Sequence, residues 1–94
     1  MAPVPPLFAP DPAPLSAAVL VMAESNALAL ASLVDPMRAA NRRAGRTLYR
    51  WRYYSEAGGD VPVTAGCAIP TDALPDRADF DVLMIVAGFR LAEQ

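Results

Sequence analysis

Ninety-four residues, 54% hydrophobic and 19% charged, include ten prolines, one cysteine, no histidine and no lysine. Without histidine the chain supplies neither a Ser-His-Asp or Cys-His nucleophilic unit nor an imidazole metal site; a single cysteine excludes an internal disulfide and a cysteine-cluster zinc site, and fits a reducing compartment. Eight arginines against ten carboxylates give a formal net charge of −2, so no global field draws the chain to nucleic acid or to an anionic membrane.

The first fourteen residues, MAPVPPLFAPDPAP, hold six of the ten prolines. Proline removes backbone donors and fixes φ, so residues 1–14 read as an extended, disordered leader. No basic residue precedes Arg38, which argues against a secretory signal. The stretch from Leu15 to Val34 approaches the roughly 20 apolar residues of a membrane span. Glu24, Ser25 and Asn26 interrupt it and divide it into a β-type run at 17–23 and a helix-type run from Ala27. Ser25 or Asn26 can cap that helix by accepting from its unpaired N–H groups.

Leu28, Leu30, Leu33, Val34 and Met37 are expected to form the buried helix face. Pro36 predicts a kink, or a restart with Asp35 as N-cap. Asp35 and Arg38 are spaced to pair on the surface for about 0.2–0.5 kcal/mol. Arg38, Arg42 and Arg43 suit the negative end of the helix dipole, and Gly45 is a stop. Leu48 to Ser55 alternates as a strand, Tyr49, Trp51 and Tyr53 on one face and Arg50 and Arg52 on the other. After the Gly58-Gly59-Asp60 turn signal, Val61–Thr64 and Gly66–Thr71 predict a hairpin, with Pro62 and Pro70 making both arms edge or excursion strands. A polar connection leads to an apolar strand at 82–87 that ends at Gly88, and Leu91–Gln94 opens a further element.

The strands at 17–23 and 82–87 are apolar on both faces, the pattern of central parallel strands covered on each side. A strand-helix-strand unit places its helix on one face only. With one helix available, the second face has nothing in this chain to cover it. The predicted class is therefore α/β, the first half of a doubly wound domain.

Three strings carry a family likeness. They are Asp35-Pro36-Met37-Arg38-Ala39-Ala40-Asn41-Arg42, Tyr49-Arg50-Trp51-Arg52, and Ser55-Glu56 with Gly58-Gly59. In kind and order they resemble the amino-terminal domain of GlxA-type transcriptional regulators of the AraC family, over about residues 16–90. That domain belongs to the ThiJ/PfpI, or class I glutamine amidotransferase-like, superfamily. The resemblance implies a ThiJ/PfpI-like sensor over residues 15–94: the N-terminal half of a flavodoxin-like doubly wound parallel sheet with a β-hairpin excursion. It implies a small-molecule effector, an amino-acid-derived or quaternary amine, and a DNA-binding helix-turn-helix part elsewhere. A cytoplasmic homodimer without cofactor or metal is expected. The superfamily's nucleophilic cysteine would lie past Gln94, and the acid that its enzymes keep early in the first helix is replaced by Leu28-Ala29-Leu30-Ala31-Ser32. No catalytic residue is therefore assigned. Two alternatives stand beside the regulator: the start of a ThiJ/PfpI enzyme (isonitrile hydratase or amidase-like), and a half-domain that pairs with another chain.

Glu24, Ser25 and Asn26 sit at the carboxyl end of the first strand, where open α/β sheets bind ligands, and are candidate ligand-binding residues. Helix capping accounts equally for Ser25 and Asn26. Ala87 and Gly88 match the family's pair after the third strand, whose amides face the pocket; a tight strand exit is the alternative for Gly88. Cys67 is expected to be a small packing residue. Asn41, with Arg42 and Arg43, faces either a partner subunit or solvent. Six of the eight arginines lie between Arg38 and Arg52, but they belong to differently oriented elements, so no direct nucleic-acid contact is assigned to this segment.

Overall fold

Leu15–Val21 is an uninterrupted run of small and apolar residues, and it forms strand β1 at the centre of a five-stranded sheet. The computed structural model describes residues 13–87. Helix α1 spans Ala27–Ala44, followed by β2 (Tyr49–Ser55), β3 (Gly59–Val63), a short 3-10 turn over Thr64–Gly66, β4 (Cys67–Ala73) and β5 (Val82–Val86). The strand order is β3-β4-β2-β1-β5. β1 pairs in parallel with β2 and β5, β4 joins β2 in parallel through only Tyr54–Asp72 and Ser55–Ala73, and β3 runs antiparallel to β4. Among the described residues the class is mixed α/β, a sheet with one helix.

Register fixes which side chains share a face. Ala17 pairs with Trp51 and Val82, Val19 with Tyr53 and Met84, and Val21 with Val86. These residues face α1, and Val19, Val21 and Val86 form a core cluster with Leu30 of the helix and Val61 and Val63 of β3. The opposite face carries Ala18, Leu20, Arg50, Arg52 and Tyr54 from β1 and β2, and Leu83 and Ile85 from β5. Leu83 is 47% and Ile85 59% exposed. The apolar excess of the sequence thus emerges on the sheet face away from the helix.

Several expectations need correction. β1 begins and ends two residues before the predicted 17–23. Met22 and Ala23 leave the strand because the chain turns at Glu24, which adopts a left-handed φ of 61°. Leu28 does not belong to the buried helix face and is 76% exposed. At about 100° per residue, a side chain two positions before Leu30 lies about 160° around the helix from it. The helix does not restart at Asp35 and runs through Pro36. Asp35 instead pairs with Arg38 at 2.8 Å, as its spacing predicts, and the guanidinium holds that carboxyl below its ordinary range. Of the two hairpin arms expected as edge or excursion strands, β3 with Pro62 is the edge strand and β4 with Pro70 is second from the edge. Its pairing with β2 starts only at Asp72, so Pro70 lies where β4 is bonded on one side alone. Cys67 is not packed inside; it opens β4 exposed to solvent.

Residues 1–12 of the expected leader, the further element at Leu91–Gln94, and Gly88 lie outside the described residues. Among the described residues no helix is long and apolar enough to cross a membrane.

Candidate functional site

The carboxyl end of β1 is shaped by a five-residue turn, Met22–Asn26, whose polar groups are almost all engaged internally. Ser25 is fully buried. Its hydroxyl donates to the carbonyl of Val86 at 2.8 Å and shares its proton with the carbonyl of Met22, which ties the exit of β1 to the end of β5. Ser25 and Ala87 are thereby brought to the same end of the sheet.

Asn26 is the helix N-cap: its Oδ1 accepts from the amides of Leu28 (2.9 Å) and Ala29 (3.1 Å). The Ala27 amide donates to Thr64 Oγ1 at 2.8 Å, and the Leu30 amide to the carbonyl of Asn26. The open donors of the first turn, the amides of Ala27, Leu28 and Ala29, are thus taken, so this turn does not present an anion cradle. Glu24 is exposed and its amide donates to the Pro62 carbonyl at 2.7 Å, while the Thr64 amide donates to the Ser25 carbonyl at 3.0 Å. The tip of the β3–β4 hairpin is therefore fastened across the turn that leads into α1.

Beside this junction a crevice of about 550 Å³ opens at the carboxyl ends of β1 and β2. Ligand pockets for small molecules run from about 300 to 1,000 Å³, so the size is adequate for an effector. Leu20, Met22 and Leu74 supply apolar walls, while Ser55, Glu56 and Asp60 supply the polar groups. Glu56 and Asp60 are exposed carboxylates, and no basic side chain lines the crevice. Ser55 is buried, its hydroxyl 2.6 Å from that of Thr71, which fixes the floor. A second cleft of about 530 Å³, with Arg50, Arg52, Tyr54 and Phe80, lies toward the amino ends of β1 and β2. Open α/β sheets bind ligands at the carboxyl ends of their strands, which favours the first.

Of the residues singled out from sequence, Glu24, Ser25, Asn26 and Ala87 surround this end of the sheet, but the crevice lining runs through their neighbours Met22 and Ala23. The opposing carboxylates, Glu56 and Asp60, were not anticipated as site residues. Their only sequence signal is a pair of acids flanking Gly58-Gly59, and it acquires meaning once the hairpin curls over the end of the sheet.

No protein-family model matches this chain, and no solved structure matches it. Similarity to curated proteins points to one class, the HTH-type transcriptional regulators. The chain is 39% identical over 75 residues to the HTH-type transcriptional regulator GbdR of Pseudomonas aeruginosa, a match that covers 80% of this chain and 20% of that protein. It is 37% identical over 71 residues to the HTH-type transcriptional regulator CdhR of the same species, covering 74% of this chain and 21% of CdhR. The chain spans about one fifth of the length of the relatives it matches.

Proposed function

We propose that this chain is the amino-terminal part of the effector-sensing region of a transcriptional regulator, and that the effector binds without being chemically transformed. The observation that carries this is the identity to two regulators over most of the chain. The enzyme alternative is not favoured by relatives of that class. The finer assignment rests on the strings from Asp35 to Arg42 and Tyr49 to Arg52: a GlxA-type, AraC-family regulator with a ThiJ/PfpI-like sensor and a DNA-binding helix-turn-helix part elsewhere, working as a cytoplasmic homodimer.

Two features support a flavodoxin-like, doubly wound sheet. β2, β1 and β5 are parallel with β1 in the middle. The step from β1 to β2 crosses the sheet in one direction with α1 on one face. A right-handed connection from β5 to a further parallel strand would cross in the other direction and lay its helix on the opposite face. Leu83 and Ile85 stand exposed on that face.

For the effector we propose an amine, amino-acid-derived or quaternary, held in the crevice with its cation toward Glu56 and Asp60. Glu24, Ser25 and Asn26 hold the turn beside the crevice, and Ala87 follows the end of β5. Calorimetric titration with tetramethylammonium and with free amino acids tests this. Binding to the chain should weaken about five-fold in Glu56→Gln and again in Asp60→Asn, since one exposed carboxylate–cation contact contributes on the order of 1 kcal/mol. Binding that is unaffected by both substitutions would rule out the crevice as the amine site.

A further inference from the structure

The hairpin that forms one wall of the crevice is held at its two ends, and between them Val61 and Val63 pack into the core. At its base, β4 pairs with β2 through two residue pairs. The backbone turns into and out of this base with positive φ at Gly58 (78°) and Gly59 (84°). At its tip, Val63 forms an isolated parallel bridge with Ser25. Three hydrogen bonds reinforce the bridge: Glu24 amide to Pro62 carbonyl, Thr64 amide to Ser25 carbonyl, and Ala27 amide to Thr64 Oγ1. The last of these ends on the first residue of α1.

Strain collects at the same place. Among the described residues, two non-glycine side chains have positive φ: Glu24 at 61° and Ala65 at 71°. One lies on each side of the tip contact. A left-handed backbone at a residue with a Cβ is strained, and it persists only where surrounding contacts enforce it. Here the enforcing contacts are the three tip hydrogen bonds. Thr64, Ala65 and Gly66 are exposed and fastened by few bonds, and a segment of that kind opposed by local strain has a low free energy of local opening.

The wall and the fastening are one element. Asp60, Val61 and Pro62 line the crevice. Pro62 is also an acceptor in the tip contact, and Thr64 follows two residues later. We propose that the tip of the β3–β4 hairpin is a strained latch that opens while Val61 and Val63 stay packed in the core, and that it relays occupancy of the crevice to the first turn of α1. A ligand seated against Asp60 and Pro62 bears on the hairpin, and the three tip bonds pass the displacement to Glu24, Ser25 and Ala27, none of which lines the crevice. The relay rests on the effector site proposed above, whereas the latch rests on geometry alone.

Amide hydrogen exchange separates the two. Thr64→Val removes the Oγ1 acceptor while leaving the backbone intact. Exchange should accelerate about ten-fold at Ala27, and also at Glu24 and Thr64 whose own acceptors are untouched, with the central strand amides unchanged. Ala65→Gly relieves strain and should slow exchange at the same three amides. Acceleration confined to Ala27 overturns the latch, and so does uniform acceleration throughout the chain. In the wild-type chain, tetramethylammonium should shift exchange at Glu24, Ala27 and Thr64 together with the resonances of Glu56 and Asp60. Movement of Glu56 and Asp60 with no change at the latch overturns the relay. Absence of any response at Glu56 and Asp60 overturns the amine site and leaves the latch to be judged on Thr64→Val.

Discussion

Asn41 is the most heavily employed polar side chain outside the crevice region. Its Oδ1 accepts from the amides of Leu48 (2.7 Å) and Tyr49 (2.9 Å), and its Nδ2 donates to the Tyr49 carbonyl at 2.9 Å. The helix ends directly after it in a Schellman arrangement, with the Gly45 amide bonded to the Arg42 carbonyl and the Arg46 amide to the Asn41 carbonyl. One residue thus sets both the end of α1 and the entry of β2. The solvated role expected from sequence therefore does not describe Asn41, whereas Arg42 and Arg43 are exposed. Asn41→Ala should cost about 2–3 kcal/mol, because three partly buried bonds are lost and the strand amides left behind are incompletely hydrated. Asn41→Asp keeps both acceptor bonds and should cost about 1 kcal/mol. Urea denaturation measures both; a loss for Asn41→Ala no larger than that for a surface alanine substitution would show that the clamp does not matter. The Asp35–Arg38 pair makes a useful contrast. It was the easiest contact to anticipate from spacing, yet its side chains are 63% and 53% exposed, and such pairs contribute little.

Among the secondary-structure elements, the parallel strands and the helix were legible because their signals are local. Apolar runs, the Asn26 cap and the Gly45 stop each act within a few residues of sequence. Pro36 and Pro70 were harder. A proline reports a missing donor, but whether that donor was needed depends on the neighbouring strand or turn. The helix tolerates Pro36 without a restart, and β4 tolerates Pro70 because β2 does not reach it. The hairpin boundaries depend on close backbone approach rather than composition. Gly58 has a φ of 78°, and a Cβ there would lie 2.9 Å from the Ala73 amide nitrogen. Gly59 has a similar φ, but its Cβ would meet nothing within 4 Å. Substitution by alanine should therefore separate the two costs. Gly59→Ala pays for the left-handed conformation alone, about 1 kcal/mol, while Gly58→Ala must also displace backbone and should lose about 2–3 kcal/mol. Thermal melts of the two variants would contradict this if their midpoints fell equally.

Among the described residues, the sheet is dressed by a helix on one side. The sequence made this visible through two strands apolar on both faces and a single helix to cover them. It could not place the crevice, because one wall comes from Met22 and Ala23 and the other from Glu56 and Asp60, more than thirty residues apart and joined only when the β3–β4 hairpin folds back over the sheet. The asymmetry of the sheet can be measured directly. Val21 is 1% exposed beneath α1, whereas Ile85, one strand away on the other face, is 59% exposed. Val21→Ala removes two buried methyl groups and leaves a cavity, so it should cost about 2 kcal/mol. Ile85→Thr keeps a β-branched side chain and removes apolar surface that already meets water, so stability should change by no more than about 0.5 kcal/mol. The same substitution, with Leu83→Thr, should reduce binding of the dye 1-anilinonaphthalene-8-sulfonate, which reports exposed apolar surface. Equal destabilisation by Val21→Ala and Ile85→Thr would mean that the outer face is buried in solution. The apolar surplus would then be explained by a covering partner already in place, and the chain would behave as a closed domain instead of one side of a larger sheet.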